Sequence, residues 1–184
     1  PLSAGKLMGI LFHACLGEWQ ADPVQQFDGA GFVRGLRTAG IGIEGRSCLM
    51  VGAGGAAVAI AFALAEAGAA EIVVANRTRD KAEALAVKVN ADLGRDVARA
   101  GDPLPQAGQL VVNATSLGLK DSDPLPLDPA LLHPGMTMAE VIAQPEVTAL
   151  LRAAEARGVQ VHSGLRMIEG QVGAIADHIC ELWG

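Results

Sequence analysis

The chain has 184 residues, of which 51% are hydrophobic and 18% charged, a balance that argues against intrinsic disorder and fits one good-sized domain or one domain with an appendage. Its 23 glycines and 3% aromatic residues suit tight turns between strands and helices and argue against an all-β sandwich. A net charge of −6 argues against a large nucleic-acid-binding surface.

The N-terminal part of the chain predicts little regular structure before a first helix. The run GILFHACL is a candidate strand, and ADPVQQ, residues 21–26, is interpreted as a turn. After Asp28, apolar residues recur at helical spacing up to Gly40. We therefore expect a helix with Asp28 as its N-cap and Gly40 as its stop.

The rest of the chain alternates short apolar strands with helices. In chain order the predicted elements are a strand SCLMVGAG that ends in glycines, a helix from Ala56 to Gly68, a strand EIVVAN, an amphipathic helix RDKAEALAVKVNADLG, a strand QLVVNAT, a turn-rich segment and strand in LDPALLHPGMTMAEVIA, a helix PEVTALLRAAEARG, a strand GVQVHSG and a closing helix MIEGQVGAIADHICELW. This alternation predicts an α/β fold with a doubly wound parallel sheet, of the Rossmann-like kind.

A glycine-rich turn joins the strand SCLMV to its helix. The stretch GAGGAA, residues 52–57, fits the pattern G-x-G-x-x-A, whose glycines allow a tight turn and let the backbone approach a pyrophosphate. The helix N-terminus that follows favours an anion. The second strand ends about 24 residues later, as this motif requires. We therefore predict a dinucleotide site, with a purely structural turn as the alternative; the candidate contacts are Gly52, Ala53, Gly54, Gly55 and Ala56.

The end of the second strand indicates which dinucleotide would bind. An NAD site normally places Asp or Glu there to bind the ribose 2′-hydroxyl, whereas this strand ends Asn76-Arg77-Thr78. A guanidinium can pair with a 2′-phosphate through a bidentate fork, and Asn76 and Thr78 can add neutral hydrogen bonds. The sequence therefore predicts NADP; the alternative is that Arg77 is an ordinary exposed arginine and Thr78 a helix N-cap.

Three further segments, taken in order with these two, resemble the shikimate dehydrogenase family over about residues 20–184. They are FDGAGF (27–32), NATSLG (113–118) and the spacing Gly164, Met167, Gln171. The resemblance implies an NADP-dependent oxidoreductase of aromatic amino acid biosynthesis that reversibly reduces 3-dehydroshikimate to shikimate. GAGGA alone would also suit glutamyl-tRNA reductase or a methylene-tetrahydrofolate dehydrogenase.

The resemblance also assigns roles to residues outside the glycine turn. It implies that Asp28 binds substrate hydroxyls and pairs with a catalytic lysine, so that the two can handle the proton that accompanies hydride transfer, and that Gln171 binds the substrate. It places the segment after the third strand beside the nicotinamide, with candidate contacts Asn113, Ala114, Thr115, Ser116 and Leu117. From the residues alone, this segment could equally be a turn that caps a strand, and Gln171 a polar residue on a helix.

The chain departs from the family's pattern in several places. The Ser-x-Ser element and the N-x-T-x-P-x-K segment that carries the catalytic lysine do not occur in these 184 residues. Phe27 replaces the threonine before the aspartate, and the tyrosine of the family's V-Y-x-P segment has no counterpart within residues 141–145. The lysines of the chain are Lys6, Lys81, Lys88 and Lys120.

These departures leave several functions open. The chain is expected to be a shikimate dehydrogenase-like enzyme or its cofactor-binding part, a divergent dehydrogenase with a different substrate, a non-catalytic NADP-binding module, or a structural Rossmann-type domain without a nucleotide. We expect residues 1–27 to be a remnant of a substrate-domain segment or a linker, and residues 28–184 to be the NADP-binding domain with a C-terminal helix. A small-molecule substrate such as shikimate or a related hydroxy acid is expected as a ligand, and a homodimer or a complementing substrate domain as a protein partner.

The cysteines, histidines and apolar runs predict a cytoplasmic protein without a metal. Three scattered cysteines suggest reduced thiols, and the longest apolar run, within residues 56–65, is about half as long as a membrane span. No signal peptide is visible, so no membrane partner is expected. The histidines lack metal spacing and receive no catalytic role: His13, His133, His162 and His178.

Overall fold

Six parallel strands form one sheet at the centre of the molecule. The computed structural model describes the backbone of residues 23–183 and the side chains of residues 28–173, 175 and 176. The strands are β1 Ser47–Val51, β2 Glu71–Ala75, β3 Ala98–Ala100, β4 Leu110–Asn113, β5 Thr137–Glu140 and β6 Gln160–His162. Their order is β3-β2-β1-β4-β5-β6, and each neighbouring pair is parallel. This confirms the α/β fold with a doubly wound parallel sheet, of the Rossmann-like kind.

Helices cover both faces of this sheet. They are α1 Pro23–Thr38, α2 Gly55–Glu66, α3 Arg79–Leu93, α4 Ala149–Glu155 and α5 Gly164–Trp183. One core cluster packs buried residues of α1, α2, α3 and α5 against one face of the sheet, and a second packs α4 and the segment 127–136 against the other. Because β1 is covered on both faces, its sequence is a nearly continuous apolar run rather than an alternating one.

The first helix begins earlier than the sequence predicts. It starts at Pro23, so the predicted turn is wrong over residues 23–26 and the predicted N-cap at Asp28 is wrong. Proline suits the first turn of a helix because its missing N–H would have no partner there. Gly40, with φ 71°, follows the end of α1 as predicted. The helix runs across the domain boundary predicted after residue 27, and that boundary stays a prediction.

Two other elements differ from the prediction. The helix α4 begins at Ala149 rather than near Pro145, because the hydroxyl of Thr148 caps it by accepting a hydrogen bond from the Leu151 amide. The edge strand β3 is absent from the prediction. Its three residues carry no apolar pattern and are held by backbone pairing to β2 and by the side chain of Asn90, which bonds the backbone of residues 97 and 98.

The helices α1 and α5 approach closely through glycines. A Cβ on Gly31 would collide with the side chain of Gln171, and a Cβ on Gly170 would collide with the carbonyl oxygen of Gly31. Glycine at these two positions therefore lets the helix backbones approach one another, which brings Gln171 next to the N-terminal half of α1.

The candidate strand GILFHACL and Cys15 lie outside the described residues, and of Cys180 only the backbone, in α5, is described. Across the described helices, none is both long enough and apolar enough to cross a membrane. Among the described side chains, no group of three or more His, Cys, Asp or Glu residues could hold a metal ion.

Candidate functional site

A cleft opens at the carboxyl ends of the strands, where the sheet order reverses between β1 and β4. In open α/β sheets this switch point is where ligands bind. The cleft has a volume of about 620 Å³. The predicted cofactor contacts that line it are Gly52, Asn76, Arg77, Thr115, Ser116 and Leu117.

The glycine turn leads from the cleft, which Gly52 lines, to the start of α2. Gly52 has φ 117°, and a Cβ there would lie 2.7 Å from the carbonyl oxygen of Ala114. Gly54 is extended, with φ −89° and ψ −173°, and it caps α2 without a side-chain hydrogen bond from the described residues. The first N–H groups of α2 therefore face open space, as a pyrophosphate site requires. Ala53, Gly55 and Ala56 flank that opening rather than line the cleft.

The end of β2 supplies the positive charge of the cleft. Arg77 is exposed, and the Asn76 side-chain amide donates 2.8 Å to the carbonyl oxygen of Thr78. Thr78 is the N-cap residue of α3, but its hydroxyl makes no capping bond within the described part of the chain. Arg79 also lines the cleft, and its guanidinium lies 3.0 Å from the carboxylate of Glu83.

The segment after β4 is divided between the cleft and the interior. Thr115, Ser116 and Leu117 line the cleft, whereas Asn113 and Ala114 are buried behind it. The Asn113 side chain bonds groups of the protein on both its oxygen and its nitrogen. Contact between the cofactor and Asn113 or Ala114 stays a prediction. The side chain of Asn113 forms hydrogen bonds with Thr115 and Leu117, which line the cleft.

The two predicted substrate residues meet, although they lie 143 positions apart. The Gln171 side-chain amide donates a hydrogen bond to the Asp28 carboxylate. A Cβ on Gly29, the next residue after Asp28, would collide with the carbonyl oxygen of Ala59 in α2. The residue that follows Asp28 in the chain therefore packs directly against α2. Sequence alone could not join Asp28 and Gln171, since it does not show how α1 packs on α5.

Several cleft residues were missed by sequence reasoning. Gly101, Asp102 and Pro103 follow β3, and because that strand was not predicted, its carboxyl end could not be placed at the cleft. Pro126 belongs to the long loop after β4, and no pattern marks it. Asp102 adds one acid to a lining that also contains Arg77 and Arg79.

Two other clefts lie away from these motifs. One of about 520 Å³ at the free edge of β6 is lined by charges of both signs, including Arg34, Arg166 and Glu169. Another of about 730 Å³ lies at the amino ends of the strands and is lined by many glycines. Neither contains a residue of the glycine turn or of the segment 76–78, so the cleft at the carboxyl ends is the candidate site.

Comparisons with known proteins give relatives in both sequence and fold. A family model described as shikimate / quinate 5-dehydrogenase matches residues 37–116. A shikimate dehydrogenase (NADP(+)) of Rubrobacter xylanophilus is 40% identical over 145 residues, covering 77% of this chain and 51% of the relative. The chain spans about half the length of the curated relatives it matches.

Two solved structures show the same fold. Shikimate 5-dehydrogenase from Thermus thermophilus, in complex with NADP(H) and shikimate, is 38% identical, with a TM-score of 0.70 over 82% of this chain and 54% of that one. Quinate dehydrogenase from Corynebacterium glutamicum, in complex with NAD, is 32% identical, with a TM-score of 0.74 over 82% of this chain and 55% of that one. Structures alike in fold therefore carry different dinucleotides, and the choice between them depends on individual residues.

Proposed function

Since this chain belongs to the shikimate/quinate 5-dehydrogenase family, we propose that it is the NADP-binding part of an oxidoreductase that acts on shikimate or a related hydroxy acid. One observation carries the proposal: a single cleft at the switch point gathers Gly52, Arg77 and Thr115 from three different strand ends. The named relatives and the glycine turn support the same assignment.

The cleft and the neighbouring start of α2 fit different parts of NADP. The open N-terminus of α2 suits the pyrophosphate, because its N–H groups and its dipole favour an anion. Arg77 suits the 2′-phosphate, since a carboxylate at this strand end would repel it and a guanidinium attracts it. Thr78, whose hydroxyl does not cap α3 among the described residues, can add a neutral hydrogen bond. NADPH, when bound, supplies the hydride.

The Asp28 and Gln171 side chains are proposed to orient the substrate. Their hydrogen bond fixes the carboxylate of Asp28, which can then accept a hydrogen bond from a substrate hydroxyl. A lysine paired with this carboxylate would move the proton that accompanies hydride transfer at the alcohol carbon. Within the described residues, Lys81, Lys88 and Lys120 are exposed and lie on α3 or in the loop after Gly118, so we assign none of them that role.

Replacing Arg77 tests the cofactor assignment. We expect Arg77→Ala to weaken NADP binding about tenfold to a hundredfold, because a charge-assisted bidentate contact contributes about 1.5–3 kcal/mol. NAD binding should change far less, since NAD has no 2′-phosphate. Isothermal calorimetry with each dinucleotide measures both effects.

The matched control is Arg37→Ala, which removes an exposed arginine at the end of α1. It changes the net charge equally and should leave both affinities unchanged. An equal loss of NADP affinity in the two variants would show that Arg77 acts only through the net charge of the protein. An unchanged NADP affinity in Arg77→Ala would remove the 2′-phosphate assignment.

A second candidate function is a non-catalytic NADP-binding module. The lining of the cleft favours it, because every lining residue to which a role is assigned above would bind the dinucleotide. An assay of NADP-linked oxidation of shikimate and of quinate by this chain discriminates between the two, because turnover of either compound contradicts the module.

We propose a homodimer or a complementing substrate domain as the protein partner, and sedimentation analysis with and without such a domain tests it.

A further inference from the structure

Glu140 is a fully buried carboxylate at the end of β5, next to the candidate site but outside its lining. Its Oε1 accepts a hydrogen bond of 3.0 Å from the Asn113 side-chain amide, and its Oε2 accepts one of 2.7 Å from the Thr148 hydroxyl. Burial raises the pKa of Glu140, and the two donated hydrogen bonds oppose that rise. A buried acid must be hydrogen-bonded to be tolerated, and the described groups that satisfy this one come from β4 and from the N-cap of α4.

The side chain of Asn113 links Glu140 to the backbone that follows β4 through hydrogen bonds. Its nitrogen donates to Glu140 and, over 3.1 Å, to the carbonyl oxygen of Leu117. Its oxygen accepts from the amide and the hydroxyl of Thr115, at 3.1 and 2.7 Å. An amide flipped by half a turn would present its NH₂ group to the Thr115 amide. A carboxylate, which when ionised can only accept, favours the observed orientation of Asn113, as do the Leu117 carbonyl oxygen and the Thr115 amide.

The segment held in this way is part of the cleft. We call residues 114–118 the Thr115 loop. Its members Thr115, Ser116 and Leu117 line the cleft, and the carbonyl oxygen of Ala114 lies against Gly52 of the glycine turn. The Thr115 hydroxyl also accepts a 3.1 Å bond from the Leu117 amide, which closes the loop on itself. The position of these cleft atoms therefore depends on the amide of Asn113.

We propose that Glu140 is a positioning residue for the dinucleotide: by accepting a hydrogen bond from Asn113, it holds the Thr115 loop in the shape that receives the cofactor. The inference rests on the proposed function, because it assumes that the cleft binds NADP. It assigns Glu140 no contact with the cofactor. Glu140 acts on cofactor binding through the side-chain amide of Asn113 and through the Thr115 loop.

Glu140→Met tests this role. Methionine has an unbranched side chain of a length comparable to that of glutamate, but it lacks both acceptor oxygens. Without the carboxylate, the Asn113 amide loses one of the groups that hold its orientation and keeps the Thr115 amide and the Leu117 carbonyl oxygen. We expect the dissociation constant for NADP, measured by calorimetry, to rise about tenfold, which corresponds to about 1.4 kcal/mol. Glu140→Gln should rescue most of the affinity, within about threefold of wild type, since its amide oxygen can still accept from Asn113 and its NH₂ can donate to the Thr148 oxygen.

Thr148→Val is the matched control, because it removes the other hydrogen bond to the same carboxylate. It also removes the N-cap of α4, so we expect a lower melting temperature. The bond from Asn113 to Glu140 remains, so the dissociation constant for NADP should stay within about twofold of wild type. A purely structural Glu140 would instead make both variants lose affinity in proportion to their stability.

A double-mutant cycle with Thr115→Val completes the test. If Glu140 acts through the Thr115 loop, Glu140→Met should add little further loss of NADP affinity to that of Thr115→Val, whereas it should add fully to Arg77→Ala. If Glu140→Met does not fold, Glu140→Gln and Thr115→Val decide, and a Thr115→Val variant with wild-type affinity overturns the inference.

The outcomes separate this inference from the proposed function. A wild-type chain that does not bind NADP removes the proposed function and, with it, the inference. A wild-type chain that binds NADP while Glu140→Met binds it equally well removes the inference alone. Equal losses in Glu140→Gln and Glu140→Met also overturn it, because the acceptor would then not be what matters.

Discussion

Gly54→Ala should remove most of the affinity for NADP while leaving the protein about as stable as before. No atom of the described residues lies within 4 Å of a Cβ at this position, and its φ of −89° suits any residue. The methyl group would occupy the open space before α2, where the backbone has to approach the pyrophosphate. We expect the dissociation constant to rise about a hundredfold, or about 2.7 kcal/mol.

The stability of Gly54→Ala should change by less than about 1 kcal/mol. Alanine is a poorer N-cap than glycine, which destabilises α2, but it also reduces the entropy of the unfolded chain, and the two effects oppose each other. Urea denaturation measures the stability and calorimetry with NADP the affinity. Wild-type affinity in this variant would show that the pyrophosphate does not lie on the N-terminus of α2.

Gly52→Ala is the contrasting control in the same turn. Here φ is 117°, and a Cβ would lie 2.7 Å from the Ala114 carbonyl oxygen, so the substitution is strained in both backbone and packing. We expect the free energy of unfolding to fall by about 3 kcal/mol. Gly54→Ala should therefore lose mainly NADP affinity, whereas Gly52→Ala, two residues earlier, should lose mainly stability.

The glycine turn shows what a sequence can predict about this site. Its spacing after an apolar strand correctly predicted the order of strand, tight turn and helix start, because each step depends on local geometry alone. The end of β2 was found in the same way, since a buried apolar run stops where polar residues begin. Local patterns therefore located one wall of the cleft.

The remaining wall depends on contacts between distant parts of the chain. Asp102 was missed because β3 is a short edge strand that exists through pairing with β2 rather than through its own pattern. Glu140 and Asn113 lie at matching positions of neighbouring strands, but the strand order that makes them partners is a property of the whole sheet. Asp28 meets Gln171 only because glycines let α1 and α5 approach.

His162 gives the second large effect, on the pH dependence of stability. Its ring is 3% exposed, lies edge-on to Phe32 at 6.2 Å, and its Nε2 has no hydrogen-bond partner among the described residues. Burial and, to a smaller extent, the charge of Arg166 lower the pKa of His162 to about 4, and the charge of Glu169 opposes the fall. The folded protein therefore keeps this histidine neutral.

His162 should make the protein lose stability as the pH falls from about 6.5 to about 4. Above this window, the histidine is neutral in both the folded and the unfolded state, so it adds no pH dependence. Within it the unfolded chain binds a proton that the folded chain does not, and this difference favours unfolding. A shift of this size corresponds to up to about 3 kcal/mol.

We expect His162→Leu to remove this loss, so that the difference in unfolding free energy between variant and wild type grows in favour of the variant from pH 7 to pH 4. Urea denaturation at several pH values measures it. His133→Leu, at an exposed position, is the control for removing a histidine without removing a buried group, and it should leave the pH curve of the wild type in place. The prediction is wrong if the plots of unfolding free energy against pH for wild type and His162→Leu stay parallel across the window. The buried ring would then take up its proton as readily in the folded as in the unfolded chain.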